Sequence, residues 1–217
     1  MPVFERPGEG LVLEGFGLDD QDVTALRQYR EMFAVAKPHH PWLALDEAVL
    51  LEQLGCWRKN RETGNYGLTL AGLLMFGKYE AVVTPGAAPS YLVDYRDCRG
   101  RQAPAQTWSD RLFPDGTWEA NLFLFFRHSW IKLTSDLKVL RASKSQRTDA
   151  APVHVALGEA VVNALVHTDY AMLGRIVFGR SSQRITIESR HVDGLTRAVA
   201  QRWRKPMSQG HCSACSC

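Results

Sequence analysis

Residues 157–170 read LGEAVVNALVHTDY, and no other stretch limits the possible folds of this chain so much. Leu157, Val161, Val162, Leu165 and Val166, with Val155 just before them, give the apolar content of a helix packed inside a layered core. Glu159, Asn163 and His167 recur at i, i+4 and i+8, so a helix places them on one stripe of an otherwise buried surface. Pro152 suits a first helical position, where a missing N–H is not felt, and the spacing predicts a helix from there to about His167. Ser90 to Tyr95 (SYLVDY) is rich in aromatic and β-branched types and predicts one strand. Arg175 to Gly179 and Arg184 to Glu188, joined by Ser181-Ser182-Gln183, predict a hairpin. Between strand and helix, residues 97–116 and 138–151 read as loops. Thr117 to Leu133 reads as an amphipathic helix on Trp118, Leu122, Phe125, Phe126 and Trp130.

The N-terminal part is helical in pattern. Residues 1–18 are Gly-rich and read as a linker, after which Asp19 and Asp20 offer N-caps. Val23, Leu26, Tyr29 and Phe33 keep helical spacing until Pro38 and Pro41. Asp46 caps a second helix with Val49, Leu50, Leu51 and Leu54 on its buried face, and Gly55 stands where it should end. Arg58 to Gly64 reads as a polar turn, and Thr69 caps a third helix, Leu70 to Phe76, closed by Gly77. This order suits a winged-helix-like module or a plain three-helix bundle.

Composition narrows the function classes. Lys and Arg number 26 against 23 Asp and Glu, a net charge of +3 that permits nucleic-acid binding without requiring it. The excess is local, in Arg141 to Arg147 and in Arg197 to Lys205, which read either as solvated surface or as phosphate contacts. No run approaches the ~20 apolar residues of a membrane span, and no apolar segment of a secretory signal follows Met1, so the cytoplasm is the expected compartment. Cys56 and Cys98 read as reduced thiols. His211, Cys212, Cys215 and Cys217 have ligand types that suit zinc but lack a second knuckle. There is no GxSxG nucleophile elbow and no GxxxxGK[ST] phosphate loop.

The chemistry therefore rests on the stripe. A carboxylate and an amide one turn apart can share a hydrated Mg²⁺ and its phosphate oxygens, since Mg²⁺ prefers oxygen ligands and keeps waters. Glu159 could instead orient a water as a base. Asn163 and His167 could equally cap the helix or tie it to a neighbouring loop.

The same stretch resembles the REALVNALVHxDY signature of a bacterial family of transcriptional regulators related to the C-terminal region of RecG-like proteins. That family joins an AlbA-type Schlafen domain to a degenerate GHKL-type ATPase domain and often ends in a winged helix. LEGFGLDDQDVTALRQYREMF, HPWLAL, RETGNYGLTLAGLLMFGK, LVDYR, PDGTWEANLF and GRIVFGRSSQRITIES resemble further segments of it, in order, over residues 11–189. The resemblance implies an N-box in which Glu159 activates the hydrolytic water and Asn163 holds Mg²⁺ against the phosphates of ATP. His167 and Asp169 match the signature and are grouped with Asn163 as cofactor-binding. Gly158 stands where the signature has Arg.

Two departures matter. The chain begins where the Schlafen domain would end. After Ser189 it reads RHVDGLTRAVAQRWRKPMSQGHCSACSC, with no DxGxG box beyond the faint Asp193-Gly194. The expected architecture is α+β: linker 1–18, a helical, winged-helix-like region 19–80, a truncated GHKL-like domain 90–189, and an aberrant or disordered tail 190–217. A raw sheet edge is expected after Glu188. The expected function is that of an incomplete ATP-binding, DNA-associated transcriptional regulator with at most weak ATPase activity. DNA or a second copy of the chain would be its partner, and no membrane. The alternatives are a non-enzymatic nucleic-acid-binding or dimerisation module and a non-functional truncation product.

Overall fold

The computed structural model describes residues 12–100, 107–135, 137, 152–170, 175–191 and 194–200, with the backbone alone for 152 and 190–200. The fold is mixed α+β, with six helices and two sheets among the described residues. The chain divides into two compact units, each assembled from three separate segments. Unit one takes residues 1–91, 114–127 and 170–174; unit two takes 92–113, 128–169 and 175–217.

In unit one, α1 (Val23–Ala36) and α2 (Glu47–Gln53) precede a two-stranded sheet of β1 (Trp57–Lys59) and β2 (Tyr66–Leu68). Then follow α3 (Leu70–Phe76) and the single turn α4 (Tyr79–Val82). The cap of α1 is Asp22, whose carboxylate accepts from Thr24 N at 2.9 Å. The expected caps Asp19 and Asp20 lie instead in a short 3-10 turn, where Asp20 accepts from Gly17 N. Asp46 does cap α2, accepting from Val49 N at 2.9 Å. Helix α2 closes in a Schellman motif: Cys56 N donates to Leu51 O, Gly55 N to Glu52 O, and Gly55 takes φ +74°. Thr69 caps α3, accepting from Gly72 N at 3.1 Å while its hydroxyl donates to Gly55 O at 3.0 Å. The core gathers Ala25, Leu26, Leu50, Leu51, Phe76 and Phe123, with Tyr29 and Trp57 against its rim.

The polar turn expected at 58–64 is found at 60–64, and Arg58 and Lys59 belong instead to the first strand of a hairpin that the turn connects. Trp57 pairs with Leu68, Arg58 with Gly67 and Lys59 with Tyr66, and only residues 60–65 form the connection. Three-residue strands are too short to show alternation, which is why the spacing conceals them.

Unit two is a five-stranded sheet in the order β4-β3-β5-β6-β7. Its strands are β3 (Leu92–Asp97), β4 (Asp110–Leu112), β5 (Arg175–Arg180), β6 (Ile185–His191) and β7 (Gly194–Ala200). The β3/β5 pair is parallel and the other three pairs are antiparallel. In register, Val93, Ile176 and Ser189 share one face with Tyr95, Phe178 and Ile187, and all six are buried. Strand β4 lies inside the segment expected to be a loop. The edge expected after Glu188 is paired along its length by β7. The remainder of the tail, 201–217, lies outside the described residues.

Helix α5 (Leu122–Thr134) begins five residues later than its apolar spacing suggests. Asn121, fully buried, accepts from Leu124 N at 3.0 Å and donates to Gly77 O at 3.2 Å, while Glu119 is held by Tyr79 N. These side chains serve unit one and cannot also be helical positions. The last turn of α5 belongs to unit two, where buried Arg180 donates to the carbonyls of Lys132 and Leu133. A cation placed on orphan C-terminal carbonyls satisfies them and opposes the helix dipole.

Candidate functional site

Helix α6 (Pro152–His167) starts at its proline as expected and lies against β6 and β7. Leu157, Val161, Ala164 and Leu165 are buried and form its sheet-facing side. Glu159, Asn163 and His167 are exposed, and so are Val155, Val162 and Val166, at 50%, 45% and 56%. This corrects the expectation that the stripe interrupts an otherwise buried helix. One side of α6 is core, and the other is an open face where the polar stripe is interleaved with three valines.

The structure therefore brings Glu159, Asn163 and His167 to one face of one helix, as their spacing requires. Asp169 is half-buried two residues past the helix end. Between them Thr168, buried, donates its hydroxyl to Ala164 O at 2.6 Å and fixes how the chain leaves α6. Tyr170, the last residue of the stretch 157–170, packs in the core. It is buried in unit one with its ring 6.0 Å from that of Tyr91, whose hydroxyl donates to Ala120 O at 2.6 Å. Burial, with Tyr170 and Tyr79 nearby, raises the Tyr91 phenol well above its ordinary pKa. At Gly158, an added Cβ would lie 3.4 Å from Cη2 of Trp130 on α5. A long side chain here would have to pass the Trp130 indole, which gives the departure from Arg a packing context.

The donor set of the stripe can serve a hard cation. One carboxylate and one amide carbonyl are the few oxygen ligands Mg²⁺ takes from protein when phosphates and water supply the rest. Among the described residues, no group of three or more His, Cys, Asp and Glu gathers as a metal cage would need. His211, Cys212, Cys215 and Cys217 lie outside the described residues, as does the basic run Arg141 to Arg147.

Two charged clusters on the sheet escaped the sequence reading. Asp94, fully buried, accepts from Arg96 Nε at 2.8 Å and from Arg111 at 2.8 and 2.9 Å, and Arg111 lies over the rings of Trp108 and Phe113. Asp94 thereby raises the Arg111 pKa. At Asp97, burial pushes the carboxyl up, but hydrogen bonds from the Arg99 side chain and backbone outweigh it and hold the pKa below 3.8. The alternation of charge in DYRDCR was visible in sequence. The pairing of Arg111 across strands was not, because β4 was unrecognised.

Comparison with known proteins gives a partial match to one family model and a likeness of fold. A domain of unknown function, DUF8451, matches residues 5–94. No curated protein matches. The crystal structure of the DIP2311 protein from Corynebacterium diphtheriae is similar at 17% identity and a TM-score of 0.53, over 84% of this chain and 33% of that one. The chain thus spans about a third of the length of the solved structure it matches. No helix among the described residues is long and apolar enough to cross a membrane. By these comparisons the N-terminal part of the chain is similar to a family of unknown function, and the fold is similar to that of one solved protein.

Proposed function

We propose that the open face of α6 is one wall of a Mg–nucleotide site, in a GHKL-like unit of a DNA-associated transcriptional regulator. The observation that carries this reading is the mixed character of the face. Val155, Val162 and Val166 are exposed beside Glu159, Asn163 and His167. Leaving three valines about half in water forgoes on the order of 1 kcal/mol each of burial, so an occupant with apolar surface is favoured there. The acidic and amide groups beside them select an occupant that also brings a hydrated cation. A nucleotide with its magnesium has both characters.

Asn163 would hold the cation through its amide oxygen, and Glu159, one turn earlier, would orient a water towards the phosphates. Bound Mg²⁺ supplies charge neutralisation on the phosphate oxygens. His167 and Asp169 stand at the end of the helix, where they can fix the polar rim. The winged-helix-like reading of residues 19–80 belongs to the same proposal and is supported by the order α1, α2 and a two-stranded hairpin.

Thermal unfolding in the presence of Mg–ATP tests the proposal. Ligand at about a hundredfold over its Kd stabilises by about 2.7 kcal/mol, which shifts the midpoint by several degrees. Asn163→Ala should abolish the shift, and Glu159→Gln should retain it while removing any hydrolysis. No shift in the wild type at millimolar Mg–ATP overturns the reading.

A further inference from the structure

The geometry points to a carboxylate-binding site on the sheet of unit two, built by Arg96 and Arg111 on the face away from α5. The two faces of this sheet differ. Ile176, Phe178 and Ile187 are buried on the face where Arg180 reaches the end of α5. The residues that alternate with them, Val177, Gly179 and Thr186, turn to the other face and are partly exposed. Asp94, Arg96 and Arg111 stand on that second face, since Asp94 pairs in register with Val177, and Arg96 with both Gly179 and Arg111. The site lies within unit two and shares no residue with the α6 stripe.

The charges of this cluster do not balance. Arg96 and Arg111 are directly opposite on neighbouring strands, a placement in which like charges repel. Both are about three-quarters covered, with side-chain exposures of 24%. One carboxylate serves the two. Arg96 meets Asp94 Oδ2 through Nε at 2.8 Å and Nη2 at 2.6 Å. Arg111 spans the same carboxylate, Nε to Oδ1 at 2.8 Å and Nη2 to Oδ2 at 2.9 Å. Two cations against one anion leave one positive charge. The acids that β3 and β4 carry on the opposite face are committed, Asp97 to Arg99 and Asp110 to Lys132. Glu188 shares the face, but Val177 and a whole strand separate it from Asp94, about 10 Å by strand spacing.

Asp94 also aims the pair. Each guanidinium gives Nε and Nη2 to the buried carboxylate, so its Nη1 end is fixed in direction, with no acceptor there among the described residues. Arg111 is held further by lying over the rings of Trp108 and Phe113, at 4.6 and 4.2 Å. Guanidinium planes fixed in this way bind a planar two-oxygen group with little loss of freedom. Beside Arg96, Gly179 leaves bare backbone, and Thr186 leans over it with Oγ1 2.5 Å from where a Cβ would stand. Among the described residues that hydroxyl makes only a long 3.4 Å bond to Gly179 O, so it can serve as a third donor.

Charge and shape select the ligand class. A carboxylate is planar, and its single negative charge neutralises the cluster. A phosphate monoester brings about −1.5 to −2 at neutral pH and would leave negative charge against Asp94. Single-stranded nucleic acid needs aromatic faces for its bases, and those of Trp108 and Phe113 are turned to Arg111. The same rings and Val177 give the surroundings apolar character. The ligand is therefore a small organic acid with an apolar body.

The test titrates sodium benzoate into the ¹⁵N-labelled full chain at constant ionic strength, without nucleotide or magnesium, and follows the arginine Nε–Hε signals. Two signals should move saturably, one missing in Arg96→Lys and the other in Arg111→Lys. Either substitution should weaken binding at least about tenfold, because an ammonium cannot replace the fork. Thr186→Val leaves the Asp94 cluster untouched, so it reads the site even if an arginine variant fails to fold, and it should weaken binding about fivefold. Benzyl alcohol, with the ring but no charge, and inorganic phosphate should each bind at least about tenfold more weakly than benzoate. No saturable change up to about 10 mM benzoate overturns the inference. So does an equal response to phosphate, wild-type affinity in Thr186→Val, or tighter binding of polyuridine RNA. Because nucleotide is absent and the residues are separate, failure here leaves the α6 proposal standing, and the reverse also holds.

Discussion

Gly72 is where α3 and the chain leaving α2 come closest. A Cβ there would lie 2.5 Å from the Cys56 carbonyl oxygen and 2.7 Å from its Cα, both of them backbone. Neither atom can swing aside, so Gly72→Ala should destabilise unit one by about 1–3 kcal/mol, measured by urea unfolding. Nothing adjacent in sequence announces this, since the obstruction comes from residue 56. The caps at Asp46 and Thr69 and the Gly55 terminator were legible because each works within four residues of itself. Cys56 illustrates the opposite dependence. Burial pushes its thiol up to about 11, the nearby Arg58 only partly offsetting this. Peptide mapping after iodoacetamide at pH 8 should therefore find Cys56 unmodified in the native protein and modified in denaturant. For Asp97 the folded pKa is lowered, so its stabilisation is present above the ordinary carboxylate value and lost as pH falls through the depressed one. Arg99→Ala should accordingly be less stable than wild type at pH 7, with the difference closing below about pH 3.9.

At the scale of elements, what a helix does locally was readable and what it faces was not. Periodicity gave α1, α2, α3 and α6 within a few residues. It failed at α5, whose first expected turn is taken by Glu119 and Asn121 reaching to α4 and Gly77, and at β1, β2 and β4, three residues each. For α6 the spacing put Glu159, Asn163 and His167 on one stripe, but apolar composition alone could not tell that three of its valines face water. Two substitutions measure these elements. Thr69→Ala removes the α3 cap and also a bond to Gly55 O, and should cost about 1–2 kcal/mol. Gly158→Ala removes a helical glycine, worth about 1 kcal/mol, against a tight but not prohibitive 3.4 Å approach to Trp130, and should leave stability unchanged or slightly raised. Both are read from the midpoint of chemical unfolding.

For the whole molecule, the sheet of unit two ends on β7, a strand that comes from sequence read as an aberrant tail. Its seven residues pair with β6 from Ile185 to His191 and cover the edge that would otherwise be open. Deleting residues 193–217 should expose that edge and produce concentration-dependent association, seen by light scattering. The α+β class followed from the order of patterns along the chain. The division into units did not, because it is interleaved: each unit takes three stretches of sequence, and the boundary falls within α5. Local spacing carries no information about which distant stretches share a core. The interleaving also limits what can happen to this chain over evolutionary time. A unit made of one continuous stretch can be copied, fused elsewhere or dropped by a single recombination event. Here a cut between residues 92 and 174 divides both units, and no single cut leaves each unit whole on its own side, so the two are inherited, duplicated and lost together.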